Sequence, residues 1–326
     1  MGIISIMFLL VVLFILELVY FKVADHFDII DHPNERSSHT LVTLRGGGII
    51  FPISSIIYLF YSGYNYISII SGIVIVGIIS FLDDIFTISN KVRLLFHLVA
   101  VAIMLYPMGI WSLNIVILII IFIAIIGVIN AYNFMDGING ITGLYSLITM
   151  LTLLFLNTKV NFIDPAFLII TSVSLVVFLF FNFRKRAKCF AGDVGSVSIA
   201  FIIVFCLISF FLITKLYIII LLLAVYGVDS VLTIILRLSR GENIFTPHRS
   251  HVYQILSNER GFSHLAVASI YSFVQLMING VVIYITLFKL PSIFILMLFV
   301  IILTLLLIIY FVLKRRFILT SERRSY

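Results

Sequence analysis

Four short polar segments interrupt an otherwise apolar chain, and each carries side chains that can bind phosphate or a cation. The first holds Asp83 and Asp84 at the end of an apolar run. Two adjacent carboxylates cost free energy there unless a cation or solvent relieves them. A solvated helix end is the structural alternative, so this pair alone does not decide between the two.

The second segment places Asn130, Asn133 and Asp136 at intervals of three. If a helix continues through it, the three polar groups share one face near the membrane surface. Glycines follow at the same spacing, at Gly137, Gly140 and Gly143. They allow the backbone to approach a ligand or a neighbouring helix closely. Glycine-mediated helix packing explains the glycines equally well, but it does not explain the aspartate.

The third segment, Gly192 to Ser196, opens another apolar run just after four basic residues. A helix that begins here presents free N–H groups to an anion. Asp193 can hold a hard divalent cation through its oxygens. The basic residues are equally explained as a signal of membrane orientation.

The fourth segment is a polar loop that contains His248, Arg249 and His251. Two histidines three apart can share a helical face, but a transition-metal site needs a third protein ligand, and no zinc pattern accompanies them. Contact with phosphate is the better reading. His97 and Asp229 lie inside apolar runs, where a function and a structural hydrogen bond are both open.

The elements that position these segments are membrane helices. Of the 326 residues, 63% are hydrophobic and 11% are charged, which excludes an ordinary water-soluble fold. A span needs about 20 apolar residues. The sequence predicts an all-α polytopic membrane protein with about eleven transmembrane helices, at 2–21, 46–62, 66–82, 94–110, 112–130, 138–156, 163–182, 195–214, 216–236, 264–288 and 291–313.

Basic residues orient this bundle. Eighteen of the 21 lysines and arginines fall on one side, and only Lys159, Lys215 and Lys289 fall on the other. The first side is therefore expected to be cytoplasmic, with the N-terminus outside and the C-terminus in the cytoplasm. Twelve of the fourteen acids, all but Glu17 and Asp164, map to the same side. One face is expected to carry the chemistry.

The remaining composition sets limits on partners and organisation. The net charge of +7 reflects orientation and whatever anion the cytoplasmic face meets, and nucleic acid is not an expected partner because the sequence predicts no soluble basic domain. Residues 1–326 form a single integral membrane domain. Cys189 and Cys206 lie at different depths, so no disulfide is implied.

Taken in order, the polar segments resemble the polyprenyl-phosphate N-acetylhexosamine-1-phosphate transferases, a membrane superfamily (glycosyltransferase family 4) that includes the lipid I synthase of peptidoglycan. The matching motifs are Asp31 to His39, Arg45 to Gly48, Asp83-Asp84, Asn130 to Gly143, Gly192 to Ser196, Asp229 and the histidine loop.

The resemblance implies roles for individual residues. It implies an Mg²⁺-dependent centre, with Mn²⁺ as an alternative ion, formed by Asp83, Asp84 and Asp193, of which Asp193 is the direct ligand. It places His251, counted with the catalytic residues, near the diphosphate. The residues expected to bind the nucleotide-sugar or its phosphates are Asn133, Asp136, Gly137, Ile138, Asn139, His248, Arg249, Arg45 and Lys91; Arg93 is an alternative to Lys91.

The implied activity is transfer of an N-acetylhexosamine-1-phosphate from a UDP-sugar to undecaprenyl phosphate, with release of UMP, at the cytoplasmic face of the bacterial inner membrane. Tyr253 and Gln254 stand where the peptidoglycan and common-antigen branches have histidines, so the chain looks like the O-antigen and capsule-initiating branch. The peptidoglycan phospho-MurNAc-pentapeptide transferase and a transporter or flippase are the alternatives. The sugar and the oligomeric state stay open, with a homodimer among the options.

Overall fold

The computed structural model describes residues 1–32, 42–243 and 249–322, with side chains as far as Arg315. The described part of the chain is a bundle of α-helices with one very small sheet. The helices are α1 (Ile3–His26), α2 (Ile50–Tyr61), α3 (Ile67–Phe86), α4 (Asn90–Leu105), α5 (Ile115–Met135), α6 (Ile141–Val160), α7 (Pro165–Asn182), α8 (Gly192–Thr214), α9 (Ala224–Ser239), α10 (Val252–Gln254), α11 (His264–Phe288) and α12 (Ser292–Glu322). The sheet pairs β1 (Ile30–Asp31) with β2 (Thr43–Leu44) in antiparallel register.

The helices confirm the all-α polytopic prediction. Within the described residues, ten helical stretches are long and apolar enough to cross a membrane. The predicted second span is the exception in length, because a 3-10 turn and α2 together cover only Gly47–Tyr61. Fifteen residues rise about 22 Å, less than the roughly 30 Å of a hydrocarbon core.

The bundle has an inner layer and a lipid-facing layer. α7 and α8 are the most buried of the long helices, and α12 is the least buried. Small residues allow the inner helices to approach one another, as where Gly72 of α3 lies against Phe201 of α8. Such close packing associates helices in lipid, where no hydrophobic force drives them together.

The predicted ninth span is not a continuous α-helix. It begins as a 3-10 segment, Tyr217–Leu223, and becomes α9 at Ala224. The side chain of Gln275 on α11 donates to the Leu221 carbonyl at 2.8 Å and accepts from the Val225 N–H at 3.2 Å. Irregular backbone at membrane depth needs such protein partners, since lipid supplies none.

The two ends of the bundle hold different polar groups. At one end Asp164 caps α7 and accepts a hydrogen bond from Tyr58 at 2.9 Å. Glu17 was expected away from the other, more polar end, but it is fully buried against Cys189, which donates to it at 3.7 Å. The expectation was wrong because α1 runs on to His26 and the segment that contains Cys189 packs down against it.

Candidate functional site

Three of the predicted acids meet at the ends of three helices. Asp83 lies in the last turn of α3, and Asp193 lies in the first turn of α8. Arg93, in the first turn of α4, joins them: its guanidinium contacts Asp83 at 2.6 Å and Asp193 at 3.1 Å. The backbone N–H of Ile88 also donates to Asp83. We call Asp83, Asp84, Asp193, Arg45 and Arg93 the acid–arginine cluster.

Asp84 is the most deeply buried member, with a side chain that is 0% exposed. Its carboxylate accepts the backbone N–H groups of Asp193 at 2.9 Å and Val194 at 3.0 Å. The start of α8 does bind an anion, as its sequence predicts, but that anion is Asp84 itself. Gly192 is required here because a Cβ would lie 2.5 Å from the Asp84 carboxylate and because its φ is +71°.

Arg45 reaches this cluster from a different part of the chain. Its Nε contacts Asp84 at 2.8 Å, and another guanidinium nitrogen lies 3.6 Å from Asp193. Tyr20 on α1 donates to its carbonyl. Burial disfavours the charged guanidinium, but the carboxylates of Asp84, Asp193 and Asp31 together outweigh burial and hold the pKa of Arg45 above its usual value.

Strand-like pairing fixes the backbone on either side of Arg45. The Phe190 N–H donates to the Leu44 carbonyl at 2.8 Å, and the Gly47 N–H donates to the Phe190 carbonyl at 2.8 Å. Gly48 continues the pairing to Ala191 at 3.0 Å. The segment that precedes α8 therefore holds the segment that precedes α2.

The second wall of the site begins where α5 ends. The helix stops at Met135, so Asp136 follows it rather than continuing its face, and α6 begins only at Ile141. Asn133 still donates to Ser196 of α8 at 3.2 Å. The turn between the helices is anchored by Asn139, whose amide donates to the Arg184 carbonyl at 2.8 Å.

Asn139 also offers an acceptor to the site. Its side-chain oxygen is buried and has no hydrogen-bond partner among the described residues. The glycines around it serve packing: Gly140 has a φ of +83° and lies against Phe183, and Gly143 lies against Leu179. Helix packing, the alternative explanation of the glycine spacing, therefore accounts for Gly140 and Gly143.

Asp136 is an acid of the second wall whose protonation depends on this environment. Burial raises its pKa to about 7. A carboxyl group with this pKa exchanges its proton near neutral pH. It can therefore donate to a ligand as well as accept from it.

These two walls enclose a cavity of about 230 Å³. The cavity collects predicted site residues from distant parts of the chain. The lining residues that the sequence predicted are Arg45, Asn133, Asp136, Gly137, Ile138, Asn139 and Asp193. Those it did not assign to the site are Asp31, Asn182, Phe190, Ala191, Gly192, Gln254 and His264. A polar side chain at the end of an apolar run, as at Asn182, was the signal available for some of these.

The other predicted residues lie elsewhere. Asp83 and Asp84 stand behind the lining, in the acid–arginine cluster. His251 is buried and its Nδ1 lies 3.4 Å from an oxygen of Asp229. Lys91 and Arg249 are exposed and outside the lining, and Arg93 rather than Lys91 contacts the acids. His248 lies outside the described residues.

The donor atoms near the cavity bear on a divalent cation. Asp193 faces the cavity with hard carboxylate oxygens, which suit Mg²⁺. The oxygens of Asp84 are already engaged by two N–H groups and Arg45. Among the residues that the structure describes, no three His, Cys, Asp or Glu side chains stand together as a metal site. Asp193, which lines the cavity, is thus the residue that fits a cation best; Arg93 contacts one oxygen of Asp193 and one oxygen of Asp83.

Comparison with known proteins identifies one family. Residues 66–211 match the model of glycosyl transferase family 4. This stretch runs from the start of α3 into α8, and it carries Asp83, Asp84, Asp136 and Asp193. The comparison with curated proteins gave no match.

Proposed function

Since the chain belongs to glycosyl transferase family 4 and is a sugar-phosphate transferase that acts on a lipid carrier, we propose that its donor is a UDP-N-acetylhexosamine and its acceptor undecaprenyl phosphate. The observation that carries this proposal is the joint cavity. Asp193 and Arg45 lie on one wall, and the Asp136–Asn139 turn lies on the other. The first wall suits phosphates, and the second offers donors and acceptors for the rest of a nucleotide-sugar.

In the proposed reaction, an oxygen of the lipid phosphate attacks the phosphorus that carries the sugar. The bond from that phosphorus to the UMP oxygen breaks, so UMP leaves and a polyprenyl diphosphate sugar remains. Both reactants are anions, and two unit charges 4 Å apart cost about 4 kcal/mol at an effective dielectric of 20. Positive charge at the site therefore matters more than any single proton transfer.

The chain supplies part of that charge itself. Arg45 and Arg93 offset two of the three carboxylates of the acid–arginine cluster. Bound Mg²⁺, which Asp193 would hold with Asp83 as the second candidate, supplies neutralisation of the diphosphate and a better uridylate leaving group. Arg45 is also placed to bind a phosphate oxygen, because its guanidinium is about one third exposed and lines the cavity.

Asp83 is proposed to position groups rather than to remove a proton. A phosphate monoester has a second pKa of about 6, so it is mostly dianionic at pH 7. Asp83 is held by Arg93 and by the Ile88 N–H, which fixes its orientation. Its proposed role is to fix the relative positions of Arg93, the cation and the lipid phosphate.

The membrane bundle fits a lipid acceptor. The polyprenyl tail stays in hydrocarbon while its phosphate rides at the interface, where the polar helix ends gather. We further propose that this end faces the cytoplasm of a bacterial inner membrane, because most of the basic residues belong to it. Soluble donor then arrives from the cytosol.

The test is an assay of purified protein with Mg²⁺, undecaprenyl phosphate and a panel of UDP-sugars. The panel contains UDP-N-acetylglucosamine, 6-deoxy N-acetylated sugars and UDP-MurNAc-pentapeptide. We expect UMP release and lipid product with an N-acetylhexosamine, and a 6-deoxy sugar would support the O-antigen and capsule branch. Activity only with the pentapeptide donor would identify the peptidoglycan enzyme. Folded protein that releases no UMP with any donor would refute the proposal.

A further inference from the structure

Asp229, buried inside the membrane on α9, gathers an unusual number of hydrogen-bond donors. Its side chain is 4% exposed. The donors come from three parts of the chain: the Val252 N–H at 3.0 Å, the Tyr253 N–H at 3.4 Å, the Tyr271 hydroxyl at 2.7 Å, the Thr233 hydroxyl at 3.3 Å, and His251 Nδ1 at 3.4 Å. Its main role is therefore to cap α10, the single turn that follows the histidine loop.

That single turn leads directly into the cavity. Gln254, its last residue, is part of the cavity lining. Tyr253 turns the other way, and its hydroxyl donates to the Phe134 carbonyl at 2.9 Å, near the end of α5. Its ring lies over Gly137, where a Cβ would overlap the hydroxyl. One capped turn therefore touches both the cavity and the Asp136–Asn139 wall.

Helix α12 contacts the surroundings of Asp229 and the segment that precedes α10. Tyr310 of α12 shares a hydrogen bond with Thr233 at 2.9 Å, and Lys314 donates to the Ser250 carbonyl. Helix α12 is otherwise mostly exposed to lipid. Its polar contacts converge on Asp229 and on the segment that Asp229 holds.

Stability alone does not account for this arrangement. A buried carboxylate is costly, and well-packed apolar residues often replace buried charges with no loss of stability. A buried hydrogen-bond network instead specifies one geometry. Here the geometry specified is that of a short segment whose two ends contact the proposed donor site.

We propose that Asp229 is a positioning residue for the donor site: its carboxylate fixes α10 so that Tyr253 holds the end of α5 and Gln254 faces the bound nucleotide-sugar. This inference rests on the proposed function for its substrate. It assigns no reacting atom to Asp229. Loss of the carboxylate should loosen the wall that contacts the donor and leave the acceptor side unchanged.

The experiment compares Asp229→Asn and Tyr271→Phe with Asp164→Asn as the matched control. Asp164 is also a capping carboxylate that accepts a tyrosine hydroxyl, but it lies at the opposite end of the bundle. We expect Asp229→Asn to raise the KM for the UDP-sugar at least about tenfold, with the KM for undecaprenyl phosphate within about twofold of wild type. Tyr271→Phe should give a smaller change of the same kind.

Hydrogen exchange gives a readout that does not depend on turnover. The amides of residues 252–254 should exchange faster in Asp229→Asn and Tyr271→Phe, but not in Asp164→Asn. A fall in kcat with both KM values unchanged would indicate a merely structural role and overturn the inference. So would unchanged exchange in both Asp229 and Tyr271 variants.

The two proposals fail in different ways. If wild-type protein turns over no UDP-sugar, the proposed function fails before any variant is compared. If wild type is active and the variants keep its donor KM, only the role of Asp229 is rejected. Should Asp229→Asn not fold, Tyr271→Phe carries the test, because it removes one donor and leaves the carboxylate in place.

Discussion

Asp84 and Asp193 have the same side chain but different surroundings. Asp84 is enclosed by two N–H groups and Arg45, so its oxygens are engaged in holding α8 and α3 together. Asp193 lines the cavity and its side chain is 16% exposed, with one oxygen 3.6 Å from Arg45 and the other 3.1 Å from Arg93. An acid that lines a cavity can contact a ligand there, while an acid with no exposed surface maintains the frame.

Replacement of Asp83 by Asn tests whether that residue removes a proton. We expect Asp83→Asn to lose activity by about 100-fold at every pH between 5.5 and 8.5, because the contact to Arg93 loses its charge and the reacting groups lose their alignment. The measurement is a pH profile of UMP release. Activity that returned as the pH passed about 6, where the lipid phosphate loses its own proton, would support the general-base role instead.

The raised pKa of Asp136 predicts how the free energy of unfolding depends on pH. Its pKa is about 7 in the folded state against an ordinary value of 3.8, so the folded state binds the proton more tightly than the unfolded state does. The free energy of unfolding should therefore fall as pH rises from about 4 to about 7, by up to roughly 1.4 kcal/mol per pH unit, and then level off.

The variant Asp136→Asn isolates this contribution, since an amide imitates the neutral acid. Thermal unfolding is measured in detergent at pH 5 and pH 8. We expect the stability of the variant relative to wild type to be higher at pH 8 than at pH 5. An equal difference between variant and wild type at both pH values would contradict the raised pKa. The comparison needs both proteins because other acids titrate over the same range.

At the scale of elements, the pairing of residues 44–48 with residues 189–191 sets the position of Arg45. Gly48 is the tightest point, because a Cβ there would overlap the backbone of Gly195 and lie 2.8 Å from the Ala191 carbonyl. Backbone on both sides leaves no flexible side chain to move. The three consecutive glycines after Arg45 thus serve a close approach between chain segments.

We expect Gly48→Ala to lower the free energy of unfolding by about 1–3 kcal/mol or more and to reduce activity by displacing Arg45. Gly127→Ala is the matched control, since a Cβ at Gly127 of α5 meets nothing within 4 Å. That control should be neutral or up to about 1 kcal/mol more stable, because alanine favours a helix. Equal effects of the two substitutions in thermal unfolding would argue against the close approach.

The elements also show how far sequence reasoning reaches. Within the described residues, apolar length alone located all ten helices that are long enough to cross a membrane, and it predicted an eleventh span where the structure has only the short stretch Gly47–Tyr61. It did not reveal the 3-10 start of the ninth span, which depends on Gln275 from another helix. The capping of α8 by Asp84 was hidden for the same reason: a single sequence does not state which helices are neighbours. Residue type predicted which acids could take part in the chemistry, whereas the contacts determine which of them lines the cavity.

At the scale of the whole molecule, the orientation of the bundle is a prediction with a direct test. Cysteines introduced at Lys159 and Lys289 should react with a membrane-impermeant thiol reagent in intact cells. A cysteine at Lys188 should react only after the membrane is opened. The native Cys189 and Cys206 are buried, so we expect them to contribute little labelling of their own. Labelling in the reverse pattern would place the cavity on the outer face.

The backbone pairing that positions Arg45 joins two segments that lie far apart along the chain, and this separation has a consequence for biosynthesis. Six helices, α2 to α7, lie between the strand-like segments before α2 and before α8. A nascent chain that ends before Gly192 already carries both aspartates of α3, yet it lacks the backbone N–H groups of Asp193 and Val194 that donate to Asp84. Such a half-made chain has no assembled acid–arginine cluster, so that cluster can form only after the eighth helix has left the ribosome and docked.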